Sequence, residues 1–194
     1  MDEDAARARL LDAAEELFYA RGIQAVGMDA IRDASGVPLK RLYQLYPGKE
    51  QLVEGYLERR DLRWRGRLAD YVERRDDPQQ RILAVFDWLH AWFSEPGFHG
   101  CAWINGYGEL GMTSPAVASQ ARSHKKAFHA YLHGLAAAAG LPEPVTDHLY
   151  LLAEGAMVTA AIFKTAEPAR QARSAAETLL AVAARLTSSG RAGA

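Results

Sequence analysis

The fourteen residues GVPLKRLYQLYPGK, positions 36 to 49, carry Lys40, Arg41 and Lys49 together with Tyr43 and Tyr46, and no carboxylate. Such a segment suits a polyanion. Ammonium and guanidinium groups neutralise phosphates, and an arginine fork can hold guanine O6 and N7 at once. Other chemistry-bearing groups form weaker patterns. His129 and His133 stand at i and i+4 and would share a helix face, as metal ligands can, but no third ligand lies at motif spacing, so no metal is expected. Cys101 lies near His99 without any recognisable triad and reads as a small buried residue, so no catalytic residue is assigned. The most basic run, Arg59-Arg60-Asp61-Leu62-Arg63-Trp64-Arg65-Gly66-Arg67, could favour DNA approach but reads rather as a solvated helix face.

The totals require any polyanion site to be local. Across 194 residues the formal charge is −1, with 49% hydrophobic and 24% charged residues, a globular composition without global pull toward nucleic acid or membrane. One cysteine excludes an intramolecular disulfide and fits a reducing compartment. The start, MDEDAARARL, is acidic and unlike a secretory leader, and no run approaches the roughly 20 apolar residues of a membrane span. A soluble, cytoplasmic protein that needs no membrane partner and no cofactor is expected.

The elements that must position these groups are helical, because apolar residues recur with a 3.6-residue period and nowhere alternate cleanly with period two. An all-α chain of about nine helices is predicted, over residues 6–20, 28–34, 39–46, 49–73, 79–93, 102–110, 115–139, 145–164 and 168–186, with the tail SSGRAGA frayed. Gly22 should end the first helix, and Ile31 and Ala34 should face inward on the second. Helices two and three are short, joined across Ser35-Gly36-Val37 and backed by the first, which is the pattern of a helix-turn-helix. In that arrangement the start of the second short helix meets base edges. Pro38, Leu39, Lys40 and Arg41 fall there; Leu42 must pack inward, and Tyr43 and Gln44 can reach phosphates or bases.

Residues 7–55 resemble the DNA-binding domain of TetR-family transcriptional regulators. The likeness is carried by Leu11-Asp12-Ala13-Ala14 through Leu17-Phe18 and Gly22, the Ile31 to Val37 turn, Leu42-Tyr43, and Lys49-Glu50 followed by Leu52. It implies that Tyr43 and Lys49 bind phosphates, and that Lys40 and Arg41, where relatives carry small or hydroxyl residues, extend the cationic reach. Three departures stand out: Gly27 replaces a capping Ser or Thr, Leu45 a Tyr or His that touches the DNA backbone, and Tyr46 a buried Phe, so that its hydroxyl needs a partner.

The resemblance extends expectation to the rest of the chain. Residues 1–48 would be the helix-turn-helix domain and 49–194 a helical effector-binding and dimerisation domain. The segment FHGCAWINGYGEL resembles the element that borders the family's effector pocket, for which Trp88, Trp92, Trp103, Tyr107, Phe128 and Phe163 are the candidates. The last two helices would pair with those of a second copy through Leu149, Leu152, Ala156, Ala160, Leu179, Ala183 and Leu186. The implied function is a homodimeric repressor, released from a palindromic double-stranded DNA operator by a small-molecule effector. The competing reading, a small helical enzyme or ligand carrier built on the aromatic residues, has no catalytic constellation in its favour.

Overall fold

In the computed structural model, which describes residues 2–191 and side chains through residue 185, the regular elements are nine α-helices and no strand. They are α1 Glu3–Arg21, α2 Met28–Ser35, α3 Leu39–Leu45, α4 Lys49–Val72, α5 Pro78–Phe93, α6 Ala102–Leu110, α7 Pro115–Ala138, α8 Glu143–Phe163 and α9 Glu167–Arg191. Local chemistry sets their ends. The Asp2 carboxylate accepts from the Glu3 amide to start α1, three residues earlier than apolar periodicity indicates, and Gly22 closes it at φ 87°. Asp77 caps α5 by accepting from the Gln80 amide, with Pro78 in the first turn, where a missing N–H costs nothing. The tail SSGRAGA lies outside the residues whose side chains are described.

The chain forms two compact units, residues up to 64 with 101–124, and 65–100 with residues from 125 onward. The first holds α1, α2, α3, the first two-thirds of α4, α6 and the start of α7. In it α1 buries Ala6, Leu10, Ala13, Ala14, Leu17 and Phe18, while Leu11 beside them is only half-buried. On α2 the buried pair is Ile31 and Ser35, whereas Ala34, expected inward, is exposed. The reason is geometric: Ser35 lies four residues after Ile31 and shares its face. Burying that hydroxyl is made affordable by bonding, since Ser35 Oγ donates to the Arg32 carbonyl (3.2 Å) and accepts from the Val37 amide (3.2 Å). In the second unit α5 packs on α8 and α9, which also pack on each other. Its centre is Ile82, Val85, Phe86 and Leu89 of α5 against Leu149, Met157 and Ala160 of α8, with alanines 169, 172 and 176 of α9 allowing close helix approach.

Candidate nucleic-acid interface

Gly36 turns the chain between α2 and α3 in the left-handed region (φ 63°, ψ 20°), its amide bonded to the Arg32 carbonyl. A Cβ there would meet only the flexible end of Arg9 (Nη2 at 2.7 Å), which can move aside, so it is the conformation that calls for glycine. Val37 and Leu42, at most 1% exposed, pin the turn and α3 to the unit's core. What remains outside is the face with the candidate reading groups. Pro38, Lys40, Tyr43 and Gln44 are exposed, and Leu39 and Arg41 are half-buried at its edge. Leu45 is buried, so its side chain serves packing.

Two carboxylates, both missed by reading the sequence, support this face, Glu3 by ion pairs and Glu109 through backbone amides. Glu3, in the first turn of α1, receives Arg41 Nη2 at 3.3 Å and Arg7 Nη2 at 3.1 Å; Arg41 Nη1 also reaches Gln44 Oε1 at 3.5 Å. The Arg41–Glu3 pair is largely exposed, and such pairs are worth about 0–1 kcal/mol, so a phosphate or base can replace it cheaply. The Arg7 guanidinium also lies beside Tyr46, its Cζ 5.6 Å from the ring centre; Glu3 and Tyr46 raise its pKa, and it is the cation nearest the buried tyrosine's polar end. The second carboxylate is Glu109 of α6. It accepts from the Ile23 amide (3.0 Å) and the Gln24 amide (2.7 Å) in the α1–α2 connection, 86 and 85 residues away in sequence. Lys49, first residue of α4, donates to the Gln24 carbonyl at 3.4 Å. Partial burial lowers the Lys49 pKa, and the Glu109 charge opposes that shift. No sequence spacing signals a contact so distant; the Glu-Leu of the α6 segment was its only trace.

The comparisons with known proteins converge on one family. Residues 10–56 match the family described as bacterial regulatory proteins, tetR family. The chain is 37% identical over 90 residues to the HTH-type transcriptional regulator LmrA of Bacillus subtilis, covering 45% of this chain and 47% of that protein. It is 32% identical over 124 residues to the HTH-type transcriptional activator FasR of Mycolicibacterium smegmatis, covering 63% and 54%. The chain thus spans about half the length of the curated relatives it matches. A solved TetR-family transcriptional regulator from Streptomyces coelicolor superimposes with TM-score 0.83 at 27% identity over 93% of this chain and 96% of the other. The chain carries a TetR-family DNA-binding domain. A TetR transcriptional regulator from Chloroflexus aurantiacus agrees, with TM-score 0.79 and 25% identity over 92% and 96%. These relatives are regulators by description, not enzymes.

The other candidate residues are dispersed. Of the six aromatics, Trp103 and Tyr107 belong to the first compact unit, and Trp88, Trp92, Phe128 and Phe163 to the second. Trp88 and Trp92 stack with centroids 5.5 Å apart, and Phe128 is buried beside Tyr150. Trp103 lies parallel to the buried His124 at 3.5 Å, and His124 Nδ1 is 2.6 Å from Asp61. Tyr107 is exposed, and so is Phe163, 71% accessible as the last residue of α8, with the chain turning away at Lys164 (φ 55°). On α8 and α9, Leu149, Ala156, Ala160 and Ala183 are buried within the protomer, and Leu152 and Leu179 are half-buried. The Leu186 side chain lies outside the described residues. The apolar surface these helices leave open is Leu151, Val158, Ile162 and Val182.

The basic run of α4 is a solvated face only in part: Leu62, Arg63, Gly66 and Arg67 are exposed, but its first half is tied to α1. Arg59, Arg60 and Arg63 all pair with Glu15 of α1, Arg59 also with Asp12, and the Arg60 guanidinium lies 3.8 Å from the Tyr19 ring centre. His129 pairs with Asp147 (2.7 Å), and no group of three or more possible metal ligands converges among the described residues. No helix among them is long and apolar enough to cross a membrane.

Proposed function

We propose that the chain is a homodimeric transcriptional regulator that inserts α3 into the major groove of a palindromic operator and responds to a small-molecule effector. The observation that carries this reading is the α3 surface: exposed Lys40, Tyr43 and Gln44, with Arg41 beside them, on a helix free of carboxylates and anchored from behind by Val37 and Leu42. Arg41 reads a guanine edge, Tyr43 and Lys49 hold phosphates, and Pro38 and Leu39 pack against the DNA groove wall. Residues 1–48 perform recognition, and 49–194 bind effector and partner subunit. The two recognition helices of the dimer enter successive major grooves roughly 34 Å apart. Exposed Leu151, Val158 and Ile162 of α8, with Val182 of α9, form the partner-facing surface.

Repression follows from the family resemblance, with the effector favouring a dimer state that fits the operator less well. Such an effector must bind the two states unequally, with a coupling of about 1–3 kcal/mol. The test is fluorescence anisotropy with the DNA that precedes the protein's own coding sequence. Saturable binding that weakens with salt is expected, and Arg41→Ala should cost roughly 1–3 kcal/mol and relax selectivity at one base step. No salt-sensitive binding to that or any palindromic duplex would reject the proposal.

A further inference from the structure

The α1–α2 connection leaves backbone amides to be satisfied, because Gly22 (φ 87°, ψ 151°) turns the chain out of α1 and carries the Ile23 and Gln24 amides away from its last carbonyls. Glu109 takes both amides in a bidentate grip, one carboxylate oxygen each, and Gln24 Nε2 returns a bond to the Glu109 carbonyl at 2.6 Å. The neighbouring residues are shaped for this approach. A Cβ on Gly22 would stand 3.2 Å from both Glu109 carboxylate oxygens, and one on Gly106, a turn earlier in α6, 3.4 Å from Ile23 Cδ1. The consequence is that the 23–24 peptide has one orientation. Its next carbonyl, that of Gln24, receives the Lys49 ammonium, which leaves two of the three lysine donors for an outside anion. The same α6–α7 segment secures the next residue of α4 as well, since Ser114 Oγ donates to the Glu50 carboxylate.

We propose that Glu109, which touches no DNA, is the positioning residue of the Lys49 phosphate clamp: its hold on the Ile23 and Gln24 amides sets the carbonyl that anchors the Lys49 ammonium. The proposal rests on the DNA-binding reading above. The Glu109 charge contributes a second effect, because it favours the charged lysine against the desolvation of its partly buried site. Loss of Glu109 frees the connection, and the lysine then pays the entropy of ordering itself on each phosphate encounter.

A phosphate clamp acts on any sequence, so the test needs no operator. The probe is a fluorescein-labelled mixed-sequence duplex of about 30 base pairs, titrated at several salt concentrations with wild type, Lys49→Ala, Glu109→Ala, Glu109→Gln and the double alanine variant. Lys49→Ala should flatten the plot of log affinity against log salt by about one unit, so that a fourfold rise in salt costs it about three- to fourfold less affinity than wild type. Glu109→Ala should flatten it similarly, with the double variant no weaker than Lys49→Ala alone. A folded Glu109→Ala protein with wild-type slope and affinity overturns the proposal while Lys49→Ala upholds the clamp, as does a double variant with additive losses. Should Glu109→Ala lack helical circular dichroism, Glu109→Gln decides, because it keeps the volume and one acceptor: a slope between those of wild type and Lys49→Ala supports the proposal, and a wild-type slope overturns it. A wild-type slope in Lys49→Ala removes the clamp itself, and with it the proposal.

Discussion

Tyr46 carries a hydroxyl into a buried position beside the reading helix, and the surrounding residues accommodate it in two ways. Arg7, whose Cζ lies 5.6 Å from the ring centre, places its cation beside the side chain, and α4 offers Gly55 opposite the ring. A Cβ on Gly55 would stand 3.2 Å from Tyr46 Cε1 and 3.3 Å from Leu11 Cδ2, tighter than either can absorb without moving. Gly55→Ala should therefore cost roughly 1–3 kcal/mol in urea unfolding, even though alanine favours helix, because overpacking outweighs propensity here. Tyr46→Phe should cost about 0.5–1.5 kcal/mol through the lost interaction of the hydroxyl with Arg7. Since the ring carbon rather than the hydroxyl is nearest, Tyr46→Phe should not rescue Gly55→Ala; rescue would show that the glycine accommodates the hydroxyl instead. The departure at position 46 was legible in the sequence, whereas its remedy, a glycine nine residues on and an arginine in α1, became visible only in three dimensions.

At the scale of elements, α1 and α4 are joined by ion pairs as well as by apolar contact. Glu15, 21% exposed, receives Arg59, Arg60 and Arg63, and Arg60 is only 12% exposed and covers Tyr19. Glu15→Gln leaves that nearly buried guanidinium without its anion, and a loss of about 1–3 kcal/mol is expected, read as a lower midpoint in thermal unfolding. Salt should change this loss little, because partly buried pairs are weakly screened; a loss that vanishes at high salt would make the cluster an ordinary surface pair. These pairs explain why the basic run misleads on inspection: composition fixes the number of charges, but the helix crossing decides whether they meet acid or water. Helix existence and most helix ends were legible, since periodicity, glycines and prolines act locally. The second-helix core was misjudged by one residue because alanine is apolar while serine can be buried once its hydroxyl is bonded, and the faces of α8 and α9 because a small-residue stripe serves the protomer's own core as readily as a partner.

For the whole molecule, α8 gives the two kinds of face side by side. Leu149 and Ala160 are inaccessible in the single protomer, so a charge there would attack the fold. Leu151, Gly155, Val158 and Ile162 recur at i, i+4, i+7 and i+11 on the solvent side, and Ile162 is 68% exposed. An apolar row of this kind, joined by Val182 of α9, suits a two-fold interface in which each copy presents the same patch. Ile162→Asp should therefore leave the circular dichroism and unfolding midpoint of the protomer nearly unchanged while placing a carboxylate within the contact. In sedimentation at micromolar concentration the wild type should run as a dimer and the variant largely as a monomer, because an unpaired buried charge costs several kcal/mol. Palindrome binding should then lose its two-site advantage, leaving the weaker affinity of a single recognition helix. If Ile162→Asp remains a dimer and still binds the palindrome tightly, the exposed row of α8 is not the surface that sets the spacing of the two readers, and the partner-facing assignment of this helix fails.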